Sequence, residues 1–208
     1  MLVTIFGINA VGKDAVANKI KEERTDYRIT SESRLLMYNL GIIDDYNTSC
    51  PVTKEQYKAL ESISPAETWR ITNGVYKEQL ERFNREDKIV LLLSHLVFAL
   101  HLDKEKPVFL KDRGLPSWLP DVNLGFIQLI ASPKQIMRRR IKDNSSGERR
   151  RDFIGIQNII EHQRLCDEKW ASLTKDLDGE RYAVINNNNL DKVVYKTRAF
   201  IDNLIRNK

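Results

Sequence analysis

Residues 7 to 14 read GINAVGKD. Glycines at 7 and 12 followed by Lys13 give the spacing GxxxxGK, which lets backbone N–H groups converge on phosphate oxygens at a helix N-terminus. The helix dipole adds partial positive charge there, and the lysine reaches the outer phosphates. Gly7 and Gly12 permit that backbone and Lys13 supplies the charge, while Asn9, Ala10, Val11, Asp14 and Ala15 complete the expected phosphate-binding run. Only the last letter departs from the pattern, because Asp14 stands where a magnesium-binding hydroxyl is usual. Three readings of Asp14 stand: a ligand to magnesium, directly or through water; a helix cap; or a charge that repels phosphate and ends turnover. We favour the first, because a carboxylate beside a bound triphosphate is tolerated mainly with a divalent cation between them.

A second concentration of chemistry lies between residues 134 and 151. Lys134, Arg138, Arg139, Arg140, Lys142, Arg149, Arg150 and Arg151 face only Asp143 and Glu148 there, so this stretch exceeds the net charge of +5 carried by the whole chain. Basic character this local suggests a site for anions more than a surface generally coated with nucleic acid. Cys50 and Cys166 have neither zinc-site spacing nor a disulfide framework, and read as free thiols, Cys166 on a core helix face. No apolar run approaches the ~18 residues of a membrane span. MLVTIFG has no basic leader segment, so a soluble, cytoplasmic protein is expected.

The elements that position these residues follow from hydrophobic period. Leu2 to Phe6 is an apolar, β-rich run ending at Gly7, and Val16 and Ile20 place an amphipathic helix from Lys13 to Glu23. Tyr27 to Thr30 predicts a weaker strand and Ser33 to Leu40 a helix. Further helices are expected around 54 to 63 and 65 to 86, the second opened by Ser64-Pro65-Ala66-Glu67. Ile89 to Leu93 is an unbroken aliphatic run and Phe126 to Ile130 is apolar but for Gln128, the pattern of strands covered on both faces. Between them Val108 to Leu110 reads as extended. A basic helix should run from Pro133 to about Lys142, a long core-facing helix from 153 to 177, a strand from Tyr182 to Ile185, and a last helix through Leu190 and Leu204. Strands alternating with helices throughout predict one α/β domain over 1–208 with a parallel sheet.

Four stretches carry a family resemblance: GINAVGKD; Ser94-His95 after the aliphatic strand; GLPSW at 114 to 118; and RRRDFIGIQNIIEHQ from 149 to 163. In the last, Arg149, Arg151, Asp152 and Glu161-His162-Gln163 match the family's letters at their spacing. The chain resembles the P-loop nucleoside monophosphate kinases, and most specifically archaeal-type adenylate kinase, from the first strand to the final helix. The resemblance implies an α/β P-loop NTPase three-layer sandwich with a five-stranded parallel sheet. It also implies an acceptor-binding helical segment at about 33–86 and an arginine-rich lid at about 138–153.

The implied chemistry is magnesium-dependent transfer of the γ-phosphoryl group of ATP to a nucleoside monophosphate, served by positioning and charge neutralisation. Lys13 would hold β and γ oxygens. Arg140, just ahead of core-facing Ile141, would close on the phosphoryl group with Arg149 and Arg151. Arg138, Arg139 and Arg150 are given no catalytic role. Arg34, Arg70, Ser94 and His95 are the candidates for the acceptor side, and His162 reads as structural. The family usually places a magnesium-holding acid at the end of the third strand, where Leu93 stands here; Asp14 and, alternatively, Asp112 are the substitutes weighed. The Asp112-Arg113 pair is similar to the DR motif of thymidylate kinases, and the GKD loop to those of phosphomevalonate kinase and phage deoxynucleotide kinases. Two rivals stay open: a low-turnover NTP-binding module in RNA or ribosome assembly, and a kinase of a phosphorylated metabolite. Archaeal-type relatives are often homo-oligomers.

Overall fold

The computed structural model describes residues 1–46, 52–64, 67, 70, 71, 74–85, 87–100, 107–110, 118–146 and 154–207. Five strands form one sheet: β1 (Leu2–Phe6), β2 (Tyr27–Ser31), β3 (Ile89–Ser94), β6 (Gly125–Ile130) and β7 (Tyr182–Asn186). Their order is β2-β3-β1-β6-β7, with every pairing parallel. A separate antiparallel pair joins β4 (Phe98–Leu100) to β5 (Val108–Leu110).

The helices among the described residues are α1 (Lys13–Glu23), α2 (Glu32–Asn39), α3 (Lys54–Glu61), α4 (Val75–Arg85), α5 (Leu119–Val122), α6 (Pro133–Ser146), α7 (Ile156–Thr174) and α8 (Leu190–Arg206). Residues 65–86 are described only in part, and there Ser64 Oγ accepts the Glu67 N–H, as an N-cap should.

All five residues of β1 have zero exposure, which requires cover on both faces of the sheet. Phe6 stacks on Phe126 of β6, with ring centroids 6.1 Å apart, and meets Trp170 of α7 edge-on at 6.3 Å. Each aromatic contact of this kind adds about 0.5–1.5 kcal/mol beyond area burial. α1 buries Val16, Ala17 and Ile20 and packs against α8, whose Val193, Val194, Thr197, Ile201 and Leu204 form its inward stripe. β1 is central and the connections reverse direction around it, so the loop after β1 opens at the crevice where α/β sheets bind ligands.

Two features depart from expectation. One is β4, Phe98–Leu100, which the sequence reading does not include and which is the antiparallel partner of the extended run Val108–Leu110. Ile141, expected to face the core, is 46% exposed, while Arg140 beside it has no exposure at all. The inward face of α6 is set by Ile136, fully buried, and Arg140 lies one helical turn after it at i+4.

Candidate phosphate-binding site

The loop from Gly7 to Gly12 joins the end of β1 to the start of α1, and its five successive carbonyls from Gly7 to Val11 all accept hydrogen bonds. Lys13 Nζ donates to Gly7 O at 2.6 Å and to Ile8 O at 3.4 Å. Arg140 Nη2 donates to Asn9 O at 3.1 Å. Arg139 Nη1 donates to Ala10 O at 3.3 Å and Val11 O at 2.7 Å, and Asn187 Nδ2 meets Val11 O at 2.7 Å. In a trans peptide the N–H opposes the C=O, so the amides of Ala10 and Gly12 turn to the opposite side. Ala10 (φ 63) and Gly12 (φ 98) are left-handed around Val11, the alternation that makes an anion-binding concavity. Gly12 is also the N-cap of α1, whose first turn has no side-chain cap, so its orphan amides face the same anion position.

The glycines are there for separate reasons. A Cβ on Gly7 would lie 2.6 Å from Val11 Cγ1 and 2.9 Å from Leu129 O, whereas on Gly12 it would meet Asn187 Nδ2 at 2.5 Å in addition to the positive φ.

Lys13 is 6% exposed. Burial, the largest influence, lowers its pKa to about 8; the charges of Asp14 and, more weakly, Glu32 oppose that shift, and Arg140 adds to it. The cation is thus poised for an anionic ligand that would restore its charge. His95 follows β3, half-buried, with a hydrogen bond to the Gly7 backbone. Burial first and the Lys13 charge second hold its imidazole well below the usual range, so it is neutral at physiological pH. Burial likewise lowers the Arg139 pKa.

The remaining sequence candidates fall in different places. Asp14 and Ala15 are exposed on the first turn of α1, and the cap of that helix is Gly12 rather than Asp14. Ser94 ends β3 and donates to Glu32 Oε2 at 2.7 Å. Arg34 is half-buried on the first turn of α2. Arg70 is exposed and engaged by Glu67 three residues earlier, through contacts of 2.6 and 3.0 Å. His162 is buried, with Nε2 2.9 Å from Val97 O and its ring against Phe109. Cys166 is a buried free thiol, its pKa pushed up to about 12 by burial. Arg149, Arg151, Asp112 and Cys50 lie outside the described residues.

Three residues of the site carry no letter that separates them from their neighbours: Arg139, Asn187 and Glu32. Arg139 was set aside as one of a triplet, although its place at i+3 from core-facing Ile136 puts it on the inward side of α6. Asn187 follows β7 in a run of asparagines, and its N–H donates to Ile130 O at 2.7 Å, which fastens it beside β6.

For magnesium, the described residues contain no group of three or more His, Cys, Asp or Glu side chains able to hold a metal. Magnesium bound with substrate phosphates needs only one or two carboxylates and keeps several waters. Asp14 on the first turn beside Lys13, and Glu32 on the first turn of α2, hydrogen-bonded by Ser94 at the end of β3, meet that requirement as hard oxygen donors.

No family model matches the chain. An adenylate kinase from Methanopyrus kandleri is 35% identical over 97 residues, covering 43% of this chain and 46% of that one. The chain therefore matches less than half the length of this curated relative. Among solved structures, a shikimate kinase from Bacteroides thetaiotaomicron superposes with a TM-score of 0.55 at 9% identity, covering 97% of this chain and 98% of the other. The chain has a P-loop kinase fold. A second superposition, on TT1252 from Thermus thermophilus, has a TM-score of 0.50 at 14% identity and covers 97% of this chain and 95% of the other. The P-loop of this fold is the segment Gly7 to Asp14, at the strand-to-helix junction where phosphate recognition requires it. No helix among the described residues is long and apolar enough to cross a membrane.

Proposed function

We propose that the chain is an ATP- and magnesium-dependent phosphotransferase that moves the γ-phosphoryl group to a nucleoside monophosphate. The observation that carries this reading is the P-loop itself, whose carbonyls are held back by Lys13, Arg139, Arg140 and Asn187 so that amides face the helix N-terminus. The likeness to an adenylate kinase supports the choice of acceptor.

On this reading the loop amides and the first turn of α1 bind the phosphate chain, and Lys13 exchanges its Gly7 carbonyl for β and γ oxygens. Phosphoryl transfer needs little covalent help from protein, so catalysis consists of alignment and of neutralising charge on the transferring group. Arg140, with Arg149 and Arg151, supplies cations on the lid side; Arg34, Arg70, Ser94 and His95 border the acceptor side. Asp14 would hold magnesium, which would supply charge neutralisation for the phosphate chain. His95, being neutral, serves as a hydrogen-bonding group rather than a cation.

Arg139 and Arg140 turn inward to the loop rather than outward, which weighs against an RNA-binding stripe. The experiment is a phosphoryl-transfer screen with ATP and magnesium against a panel of nucleoside monophosphates, with Lys13→Ala as the control. Turnover with one or more monophosphates, lost in Lys13→Ala, is expected.

A further inference from the structure

The end of β3 lacks the carboxylate expected there: Leu93 is 3% exposed and packed into the core. Across the sheet Leu93 pairs with Ser31, the last residue of β2, and Glu32 follows directly as the first residue of α2. Ser94, the residue after Leu93, donates its hydroxyl to Glu32 Oε2 at 2.7 Å. A carboxylate is therefore present at the C-terminal end of β3, supplied by the helix that follows the neighbouring strand and fastened by the residue next to the leucine.

Its position relative to the P-loop is fixed by register. Ser94 pairs with Phe6, the last residue of β1, and Gly7 opens the loop immediately after it. Glu32, held by Ser94, is thus placed beside the strand end from which the loop departs, and Asp14 follows Lys13 on the first turn of α1. Two carboxylates thus accompany the loop lysine, one on α1 and one on α2.

We propose that Glu32 performs the task of the acid displaced from position 93: it holds, through water, the magnesium ion that accompanies the triphosphate, with Ser94 as its positioning residue. This rests on the phosphotransferase reading of the P-loop and adds to it a residue that the loop sequence does not contain. A carboxylate oriented by a hydroxyl suits an outer-sphere role, because magnesium gives up its waters reluctantly and geometry depends on what holds the ligand. Asp14 then stands in for the loop hydroxyl, and the two substitutions are matched by two carboxylates.

The test uses the full-length chain, Mn2+ as a paramagnetic substitute for Mg2+, and a non-hydrolysable ATP analogue. Binding of the analogue in EDTA reads the P-loop alone; the dissociation constant of Mn2+ in the ternary complex, from its electron paramagnetic resonance signal, reads the carboxylates. Glu32→Gln is expected to weaken Mn2+ binding about tenfold or more, and Ser94→Ala about three- to tenfold, the scale of lost ligand support. Both should leave analogue binding in EDTA within about twofold of the unsubstituted protein. Ser94→Ala keeps the carboxylate and decides the matter if Glu32→Gln does not fold. Mn2+ binding unchanged in both variants would overturn the role of Glu32 while leaving the P-loop reading intact. Failure of the unsubstituted protein to bind the analogue both in EDTA and with Mn2+ present would overturn both.

Discussion

Arg139 and Asn187, on α6 and just beyond β7, converge on a single backbone atom: each donates to the carbonyl of Val11 at 2.7 Å. Arg139 also donates to the Asn187 carbonyl at 3.1 Å, so the two residues brace each other as well as the loop. Arg139→Met should cost about 1–2 kcal/mol of stability, since a charged donor is lost while Val11 O keeps its amide partner. In the double variant with Asn187→Ala, Val11 O loses both side-chain donors. The double loss should then exceed the sum of the single ones by about 1 kcal/mol. Denaturant unfolding of the four proteins measures that coupling; strict additivity would mean that the brace does not act as a unit.

Gly12→Ala should damage the loop through two separable effects. A left-handed alanine costs about 1–2 kcal/mol, and its Cβ would lie 2.5 Å from Asn187 Nδ2. Asn187→Ala in the same chain removes the clash but not the φ. Nucleotide affinity, measured by calorimetry, should fall steeply in Gly12→Ala and recover only in part in the double variant.

How much of this was legible in the sequence depends on what each residue's letter constrains. The three central strands stand out because β1, β3 and β6 are buried on both faces and are apolar but for Thr4, Ser94 and Gln128. The loop stood out because its glycines are demanded by backbone geometry. Arg140 is singled out by sequence but Arg139 is not separable from Arg138, since only helical phase distinguishes them and Ile141, the residue taken as core-facing, is exposed while Ile136 is buried. Glu32 went unnoticed for a different reason: its relation to Leu93 exists only across the β2–β3 ladder, between residues far apart in sequence.

Lys13 makes stability depend on pH in a definite direction. Its folded pKa of about 8 lies below the ordinary lysine value of 10.5, so burying its charge destabilises the ligand-free protein fully below about pH 8. That penalty is relieved as pH rises from about 8 to 10.5, where the unfolded chain holds the extra proton. Lys13→Met should therefore stabilise the ligand-free protein at pH 7 by about 1–3 kcal/mol, less what is lost with its hydrogen bonds. The gain should shrink towards pH 10.5. Paired denaturation curves across that range check it; a gain independent of pH would contradict the buried-cation account.

ATP binding should show the same group from the other side. A bound phosphate chain restores the charge of Lys13, so affinity should decline as pH rises through about 8, with proton uptake on binding near that pH. Calorimetry in buffers of different ionisation enthalpy measures the uptake directly, and no uptake would remove Lys13 from the phosphates.

Cys166 should be inert in the folded protein. It is 1% exposed and its pKa is about 12, so at pH 8 alkylation by iodoacetamide should be slower than in the unfolded chain by roughly a thousandfold. Mass spectrometry of the Cys166 peptide over time gives the rate; rapid labelling in native buffer would show that α7 opens readily.

On the proposed function, a P-loop centred on Lys13 transfers the γ-phosphoryl group of ATP to a nucleoside monophosphate. The most direct measurement follows label from γ-labelled ATP into nucleoside diphosphate across a monophosphate panel, for the unsubstituted chain and for Lys13→Ala. Labelled diphosphate from the unsubstituted chain, reduced by about a hundredfold or more in Lys13→Ala, is the predicted result. No labelled diphosphate with any monophosphate, or equal turnover in the two proteins, would contradict the account.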